Sequence, residues 1–398
     1  MNVHATATAQ PSTIQIIAAI GVGTVASMAA NMVPALIATV AQLRGLSESQ
    51  AGLTAMADNG GYAVGMVGCA LLPALVQRLG WRKTTASGLA LLIIANLASV
   101  VAVSLAPYLI ARALAGIGAG IAMSIGFAVF GESKDSARAM ASFNVVGLGV
   151  PAVGIPYVSV VASQYGLGKL FGIFAGLGAL GLLLVPLLPR MSLREAVVEE
   201  AHAGHVSERI TAVGWLAISS ALFYSIAMMG VYAYLEFMGS SGGNTQETVE
   251  HGVSSTMYAS VAAALLASVI GSHFGFLKPL LAGFAGLCVA IAMFLVLKPV
   301  AAFLAVCVLF GFSTQLIVPY QFEAVTRVDP SSSAAMMVNA VLMGGLAAGP
   351  AIAGYFVTPD YRVVNGMALG GMALSVALML LALRRHSRAP TSSAFAMP

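Results

Sequence analysis

The sequence predicts an all-α membrane protein in which twelve transmembrane helices form two pseudo-symmetric six-helix bundles. Of its 398 residues, 59% are hydrophobic and only 8% are charged, whereas an ordinary soluble domain has about 25% charged residues. Apolar runs of about 20 residues, each long enough to cross roughly 30 Å of hydrocarbon, follow one another with short polar connections. Because no water reaches the backbone inside a bilayer, such runs must be helices.

The predicted helices divide into two sets of six. They cover 14–41, 49–77, 84–105, 107–130, 137–163 and 168–188, then 211–238, 250–273, 276–297, 299–323, 332–357 and 361–384. The one long charged stretch lies between the two sets. We therefore expect an N-terminal bundle over 1–189, a cytoplasmic linker over 190–210, and a C-terminal bundle with a short cytoplasmic tail over 211–398.

The two halves repeat each other at a single offset, as expected for a transporter built by duplication. A shift of 195 positions aligns Gly80 with Gly275, Lys83 with Lys278, Gly88 with Gly283, Gly116 with Gly311, and Asn144 with Asn339. Arg112 falls on Cys307, so its cation belongs to one half only.

The distribution of basic residues predicts the orientation. If the N-terminus is cytoplasmic, thirteen Lys and Arg residues lie in inside connections and four in outside ones, and positive loops resist translocation. We expect a multi-pass protein of the inner cell membrane with both termini in the cytoplasm. The first twelve residues lack the pattern of a removable signal peptide.

No pattern in the chain indicates an enzyme active site, a metal site or a disulfide framework. The three cysteines lie within apolar runs and show neither a disulfide framework nor metal-ligand spacing. No phosphate-cradling loop or nucleophile with its base is found. The sequence thus predicts a monomer that is not an enzyme, takes no cofactor and no metal, and binds membrane lipids and a small solute but no nucleic acid.

The apolar stretch from Pro107 to Phe130 carries one permanent cation, Arg112. A charge in hydrocarbon is tolerated only where it faces a bundle interior or a water-filled cavity, so Arg112 is a candidate functional residue. Asp58 lies at a similar depth, about 6 Å away along the membrane normal at 1.5 Å rise per residue. The two side chains are expected to meet, either as a proton-coupling site or as a fixed ion pair that joins two helices.

Two segments resemble a known family. The run Arg112-Ala-Leu-Ala-Gly116-Ile-Gly118-Ala-Gly120 resembles the fourth-helix motif of the major facilitator superfamily, an Arg followed by Gly-x-Gly-x-Gly. The segment from Gln77 to Lys83 resembles the family's loop between the second and third helices, with Gln77 at the position of its acid. The resemblance implies two bundles that rock about a central site. It also implies that Arg78, Gly80, Arg82 and Lys83 hold the cytoplasmic helix ends together.

The resemblance further suggests that helices 1, 4, 7 and 10 line the cavity, joined by helices 5 and 11. The predicted substrate-binding residues are Ser27, Asn31, Arg112, Tyr224, Tyr232, Gln315, Asn144 and Asn339. An apolar pocket with a few polar groups and one cation suits a small organic solute, including an organic anion. For each residue, a role in packing or in bonding to its own helix is the alternative.

Three further acids lie near helix ends. Glu236, at the outer end of the seventh helix, is either a solvated residue of the cavity mouth or a proton carrier beside Arg112 and Asp58. Glu132 and Glu323 occupy related places at the cytoplasmic ends of the fourth and tenth helices. We expect them to pair with nearby basic residues and to cap or gate.

With no ATP-binding motif, the sequence indicates a secondary active transporter driven by a gradient. Proton-coupled uptake is the main prediction, and proton-driven export of drug-like compounds is the alternative. The fifth helix lacks the Gly-Pro pair of the family's drug exporters, having Gly147-Leu-Gly149-Val-Pro151 instead. A membrane sensor or a membrane enzyme on the same scaffold is the third reading.

Overall fold

The structure, a computed structural model, describes residues 10–191, 210–270, 275–296, 300–358 and 361–388. These residues form fourteen α-helices and one short 3₁₀ turn, Val185–Leu187, with no strand among them. In chain order the helices are α1 Thr13–Asn31, α2 Val33–Arg44, α3 Glu48–Leu71, α4 Pro73–Leu79, α5 Trp81–Val101, α6 Leu105–Glu132, α7 Ser136–Leu184, α8 Ala212–Ala233, α9 Leu235–Ser241, α10 Gln246–Ile270, α11 Leu277–Val296, α12 Val300–Val328, α13 Ser332–Tyr355 and α14 Arg362–Arg388. Most of the predicted linker, 192–209, lies outside the described residues.

The described helices supply twelve membrane crossings, as predicted. Ten of them are long and apolar enough to cross a membrane, and the bent pair α3–α4 makes an eleventh. One of the ten, α7, has 49 residues and passes through Gly166 at φ 79°, a left-handed conformation that glycine adopts without strain. A straight helix of that length would measure roughly 75 Å. The break therefore divides α7 into the fifth and sixth crossings, and the all-α fold class is confirmed.

Three crossings predicted as continuous helices are broken. The first crossing breaks at Met32, between α1 and α2. Pro34 accounts for this break, because it lacks an N–H and its ring clashes with the carbonyl of the residue four before it. The second bends by 85° at Pro73, since a proline disfavours helical backbone in the residue that precedes it. The seventh breaks at Tyr234, which separates α8 from α9 without a proline.

The duplication seen in the sequence is also present in the backbone. Gly80 and Gly275 both adopt positive φ, 77° and 68°, at turns that precede α5 and α11. A Cβ added at Gly88 would lie 2.7 Å from the carbonyl oxygen of Gly118, and one at Gly283 would lie 3.4 Å from that of Ser313. The 195-residue shift relates these two contacts to each other, so the two halves repeat the same helix packing.

The glycines of α6 bring it unusually close to α3. A Cβ at Gly116 would overlap the carbonyl oxygen of Asp58, and a Cβ at Gly120 would overlap that of Tyr62. Small residues on one face of a membrane helix permit such backbone contact. The contact aligns Asp58 with the turn of α6 that carries Arg112, and the geometry of the site depends on it.

The molecule has two unlike faces. We call the side with the loops around Gly45, Ser104 and Gly243 the charge-poor face. The opposite side, with the loops around Gly80 and Asp135, we call the basic face. The bundles pack against each other through α3 with α13 and α7 with α10.

Candidate functional site

Arg112 and Asp58 form a buried, bidentate ion pair. Arg112 Nη2 donates to Asp58 Oδ1 at 2.6 Å, and Nε donates to Oδ2 at 3.0 Å. The residues are 1% and 4% exposed. The predicted contact between them is confirmed, and a carboxylate matched to the planar guanidinium fork is the strongest form such a pair takes.

Two further residues complete the surroundings of the guanidinium. Asn96 of α5 accepts a hydrogen bond from Arg112 Nη1 at 2.9 Å, and the ring of Phe171 in α7 lies 5.2 Å from Arg112 Cζ. The polar amide within an apolar helix is the only sequence signal that points to Asn96, and none points to Phe171. The cation thus joins α3, α5, α6 and α7 within one bundle.

Between the bundles lies a central cavity with two adjoining lobes. The large lobe, about 250 Å³, is lined mainly by the second bundle, and the small lobe, about 190 Å³, mainly by the first. The lobes share Ala30, Asn31, Asn59, Leu148, Gln315, Met343 and Leu346. A concave, largely apolar space with a few polar groups at a domain interface is the usual form of a small-molecule site.

Six of the eight predicted substrate-binding residues line this cavity. Asn31 and Gln315 line both lobes, Tyr224 and Tyr232 line the large lobe, and Ser27 and Asn144 line the small lobe. Arg112 and Asn339 line neither. Since the guanidinium is buried within the first bundle, its placement gives no support to direct contact with a solute. Asn59, which lines both lobes, is not among the predicted residues.

Hydrogen bonds between described residues of the two bundles lie towards the charge-poor face. Tyr232 donates its hydroxyl to the backbone oxygen of Asn31 at 2.6 Å, and Tyr234 donates to that of Glu48 at 2.8 Å. The hydroxyl of Ser159 in α7 donates to the Glu250 carboxylate of α10. These contacts join the two bundles on the charge-poor side of the molecule.

Glu236 is buried, and its alternative placement as a solvated residue of the cavity mouth is wrong. It is 3% exposed and lies in the first turn of α9, the short helix that follows the break at Tyr234. Its Oε1 accepts from Gln246 Nε2 at 3.0 Å, and the same nitrogen donates to Glu250 Oε1 at 3.0 Å. One amide therefore bridges two buried carboxylates, for which the described residues provide no salt-bridge partner.

The loop motif on the basic face acts within the first bundle. The backbone N–H of Trp81 donates to the carbonyl oxygen of Arg190 at 2.8 Å, and Arg82 Nε donates to that of Leu188 at 2.7 Å. Gly80 supplies the positive φ of the turn, while the side chains of Arg78 and Lys83 are exposed. The motif thus ties the turn before α5 to the end of the sixth crossing.

The acids near the basic face have separate partners. Glu323 accepts two hydrogen bonds from Arg327, at 2.7 and 3.0 Å, as expected. The pair is 32% and 54% exposed, so it contributes about 1 kcal/mol or less. Glu132 is half-buried at the end of α6. The gating role of both acids stays a prediction.

Asp329, not predicted, joins the start of α8 to the turn between α12 and α13. It accepts from the backbone N–H of Thr211 at 2.7 Å and from its hydroxyl at 2.8 Å. Burial raises the pKa of Asp329, but hydrogen bonds from Ser331 and Thr211 outweigh burial and hold the pKa below its usual 3.8. The carboxylate is thereby fixed as a charged acceptor.

A larger cavity lies away from these groups. It has a volume of about 630 Å³ and is lined by apolar side chains of α1 and α7. A related groove of about 360 Å³ lies among α8, α13 and α14. Both involve corresponding crossings of the two bundles. Apolar grooves on the outside of such bundles suit lipid chains better than a polar solute.

Comparison with known proteins agrees with this architecture. A search of curated proteins finds no match to the chain. The model of the Major Facilitator Superfamily matches residues 18–338, most of the sequence. With two duplicated bundles, a cavity between them and the Arg112 glycine motif in place, the chain belongs to the major facilitator superfamily and is a multi-pass secondary transporter.

Proposed function

We propose that the protein carries a small organic solute through the central cavity by alternating access, and that proton movement drives its uptake. The observation that carries the proposal is the position of the cavity. It lies between two duplicated bundles whose cross-bundle hydrogen bonds lie towards one face. Rocking of the bundles about this cavity breaks those contacts and opens the charge-poor face.

The basic face is proposed to lie in the cytoplasm, with both termini, in the inner cell membrane. Arg82 on that face caps a helix end, and the exposed Arg78 and Lys83 keep it positive. Positive loops stay on the side of synthesis. The described conformation is then closed towards the outside.

The protons are proposed to bind the carboxylates of Glu236 and Glu250. A hydroxyl donates a stronger hydrogen bond to a carboxylate than to a neutral acid. Protonation of Glu250 therefore weakens the cross-bundle bond from Ser159 and favours opening towards the charge-poor face. Asp58, held by two bonds from Arg112, is proposed to couple through the first bundle instead.

Uptake is the proposed direction, and the lack of the family exporters' Gly-Pro pair in the fifth crossing gives it slight support. Proton-driven export of drug-like compounds is the alternative. The two differ in the sign of the proton flux that accompanies a solute. An assay that reads proton flux therefore decides between them.

The purified protein is to be reconstituted in vesicles that contain a pH-sensitive dye, and a panel of neutral, anionic and cationic metabolites added outside. Uptake with protons acidifies the lumen on addition of a substrate, and exchange makes it alkaline. Glu236→Gln should abolish the signal. Glu247→Gln, one helix turn from His251 and highly exposed, is the matched control and should leave it unchanged. A transported solute with no proton signal would refute the coupling.

A further inference from the structure

We propose that the solute is uncharged, with a hydrogen-bond acceptor at one end and an apolar, flat body. This inference rests on the proposed function, since it concerns the solute of the central cavity. It differs from the organic anion that the sequence suggests. The argument depends on what lines the two lobes.

The described lining of both lobes contains no charged side chain. Arg112, the one cation in the membrane interior among the described residues, is 1% exposed and already binds Asp58 and Asn96. The acid Glu236 also lies outside the lobes. An ion that enters an uncharged cavity loses its hydration without gaining a counter-charge, which costs several kcal/mol in proteins. An uncharged solute avoids this cost.

Two residues that line the cavity each have a buried hydrogen-bond donor without a partner among the described residues. The donors are Nδ2 of Asn59, which lines both lobes, and the hydroxyl of Thr314, which lines the large lobe. Asn59 is 4% exposed. A buried donor left unsatisfied is unfavourable, so an acceptor on the solute, such as a carbonyl or ether oxygen, complements this wall.

Flexible methionine side chains and aromatic rings form much of the remaining wall of the large lobe. Four methionines line it, Met228, Met229, Met257 and Met343. The rings of Tyr232 and Phe310, which also line it, are stacked with centroids 6.4 Å apart and planes 9° apart. Thioethers adapt to irregular apolar shapes and make favourable contacts with aromatic rings. A flat apolar body therefore fits between these side chains.

The test uses matched triplets, in which one ring system is prepared as a carboxamide, a carboxylate and an amidinium. Benzamide, benzoate and benzamidinium form the smallest triplet, and larger rings complete the panel. Binding is measured from thermal unfolding of the purified protein across concentrations. We expect the carboxamide to bind at least about tenfold more tightly than its charged partners. Tighter binding by charged members, or no stabilisation by any carboxamide, would overturn the proposal.

Variants of the two donors locate the binding site. Asn59→Asp keeps the side-chain shape but adds a negative charge, and it is expected to shift preference from carboxamides to amidiniums. Thr314→Val should weaken carboxamide binding several-fold. Thr326→Val on the same helix, where the hydroxyl bonds to its own backbone, should not. Unaltered selectivity in both Asn59→Asp and Thr314→Val would place the solute elsewhere.

The same panel, added to the dye-loaded vesicles, separates this inference from the proposed function. If carboxylates drive proton flux and carboxamides do not, the transport proposal stands and the uncharged solute is wrong. If carboxamides bind selectively but drive no proton flux and no counterflow, the binding inference stands and the transport proposal fails.

Discussion

Replacement of Arg112 by methionine tests how far the first bundle depends on its buried ion pair. The substitution keeps an unbranched apolar side chain against Phe171 but removes the three N–H donors that bind Asp58 and Asn96. The carboxylate of Asp58 is then left buried without a counter-charge. Removal of one partner from a buried pair typically costs about 3–5 kcal/mol, and we expect a loss of that order.

The complementary change leaves the guanidinium buried without a counter-charge, so it should also cost about 3–5 kcal/mol. In Asp58→Asn, the amide oxygen still accepts from Arg112, and the guanidinium keeps Asn96 and the ring of Phe171. The double variant removes both charges, so its loss should fall well below the sum of the single losses. Close partners of this kind show interaction energies of about 0.5–3 kcal/mol.

The free energy of unfolding is to be measured by titrating the purified protein with sodium dodecyl sulfate and following helix content. Arg327→Met, which breaks the exposed pair with Glu323, is the control and should cost about 1 kcal/mol or less. A loss in Arg112→Met no larger than in that control would refute the reasoning. So would additive losses in the double variant.

Three other changes probe separate contacts. Gly80→Ala should destabilise the protein by about 1–3 kcal/mol in the same titration, because Gly80 has φ 77° and an added Cβ would lie 2.8 Å from the carbonyl oxygen of Arg190. Since the pKa of Asp329 lies below 3.8, its contribution is present at neutral pH and is lost as the pH falls below about 4; Asp329→Asn should flatten that part of a thermal-unfolding profile. Glu250→Gln should lengthen the distance between spin labels placed near the break of α7 at Gly166 and at the start of α10, in a background without native cysteines.

For each of these three predictions, one result would contradict the reasoning. Normal stability of Gly80→Ala would mean that the turn before α5 tolerates another backbone conformation. An acid profile identical in Asp329→Asn and the parent would show that other carboxylates govern it. An unchanged spin-label distance in Glu250→Gln would mean that the hydrogen bonds of Tyr232 and Tyr234 suffice to hold the bundles together on this side.

The sequence predicts the crossings well because hydrocarbon requires each span to be a mostly apolar helix. Breaks within spans are harder to predict. Pro34 and Pro73 signal two of them, but the break at Tyr234 has no proline and no other signal in the sequence. Glu236, two residues after that break, is buried, whereas its position near a helix end had suggested solvent as one alternative.

Depth along the membrane was enough to predict the contact of Asp58 with Arg112. Rotation about each helix axis was not available from the sequence, and rotation decides which side chains face the cavity. Asn59 follows Asp58 directly, yet one lines the cavity and the other binds Arg112. The partners Asn96 and Phe171 come from helices brought together only in the folded bundle.

The duplication has one exception with a mechanical consequence. Where the first half places the cation that joins four crossings, the second half has Cys307, a fully buried thiol. Charge-assisted bonds resist shear between neighbouring helices more than dispersion contacts do. The first bundle should therefore behave as a stiff body during the transport cycle. Most internal bending should occur in the second, more compliant bundle, whose helices supply most of the large lobe, the proposed binding site of the solute.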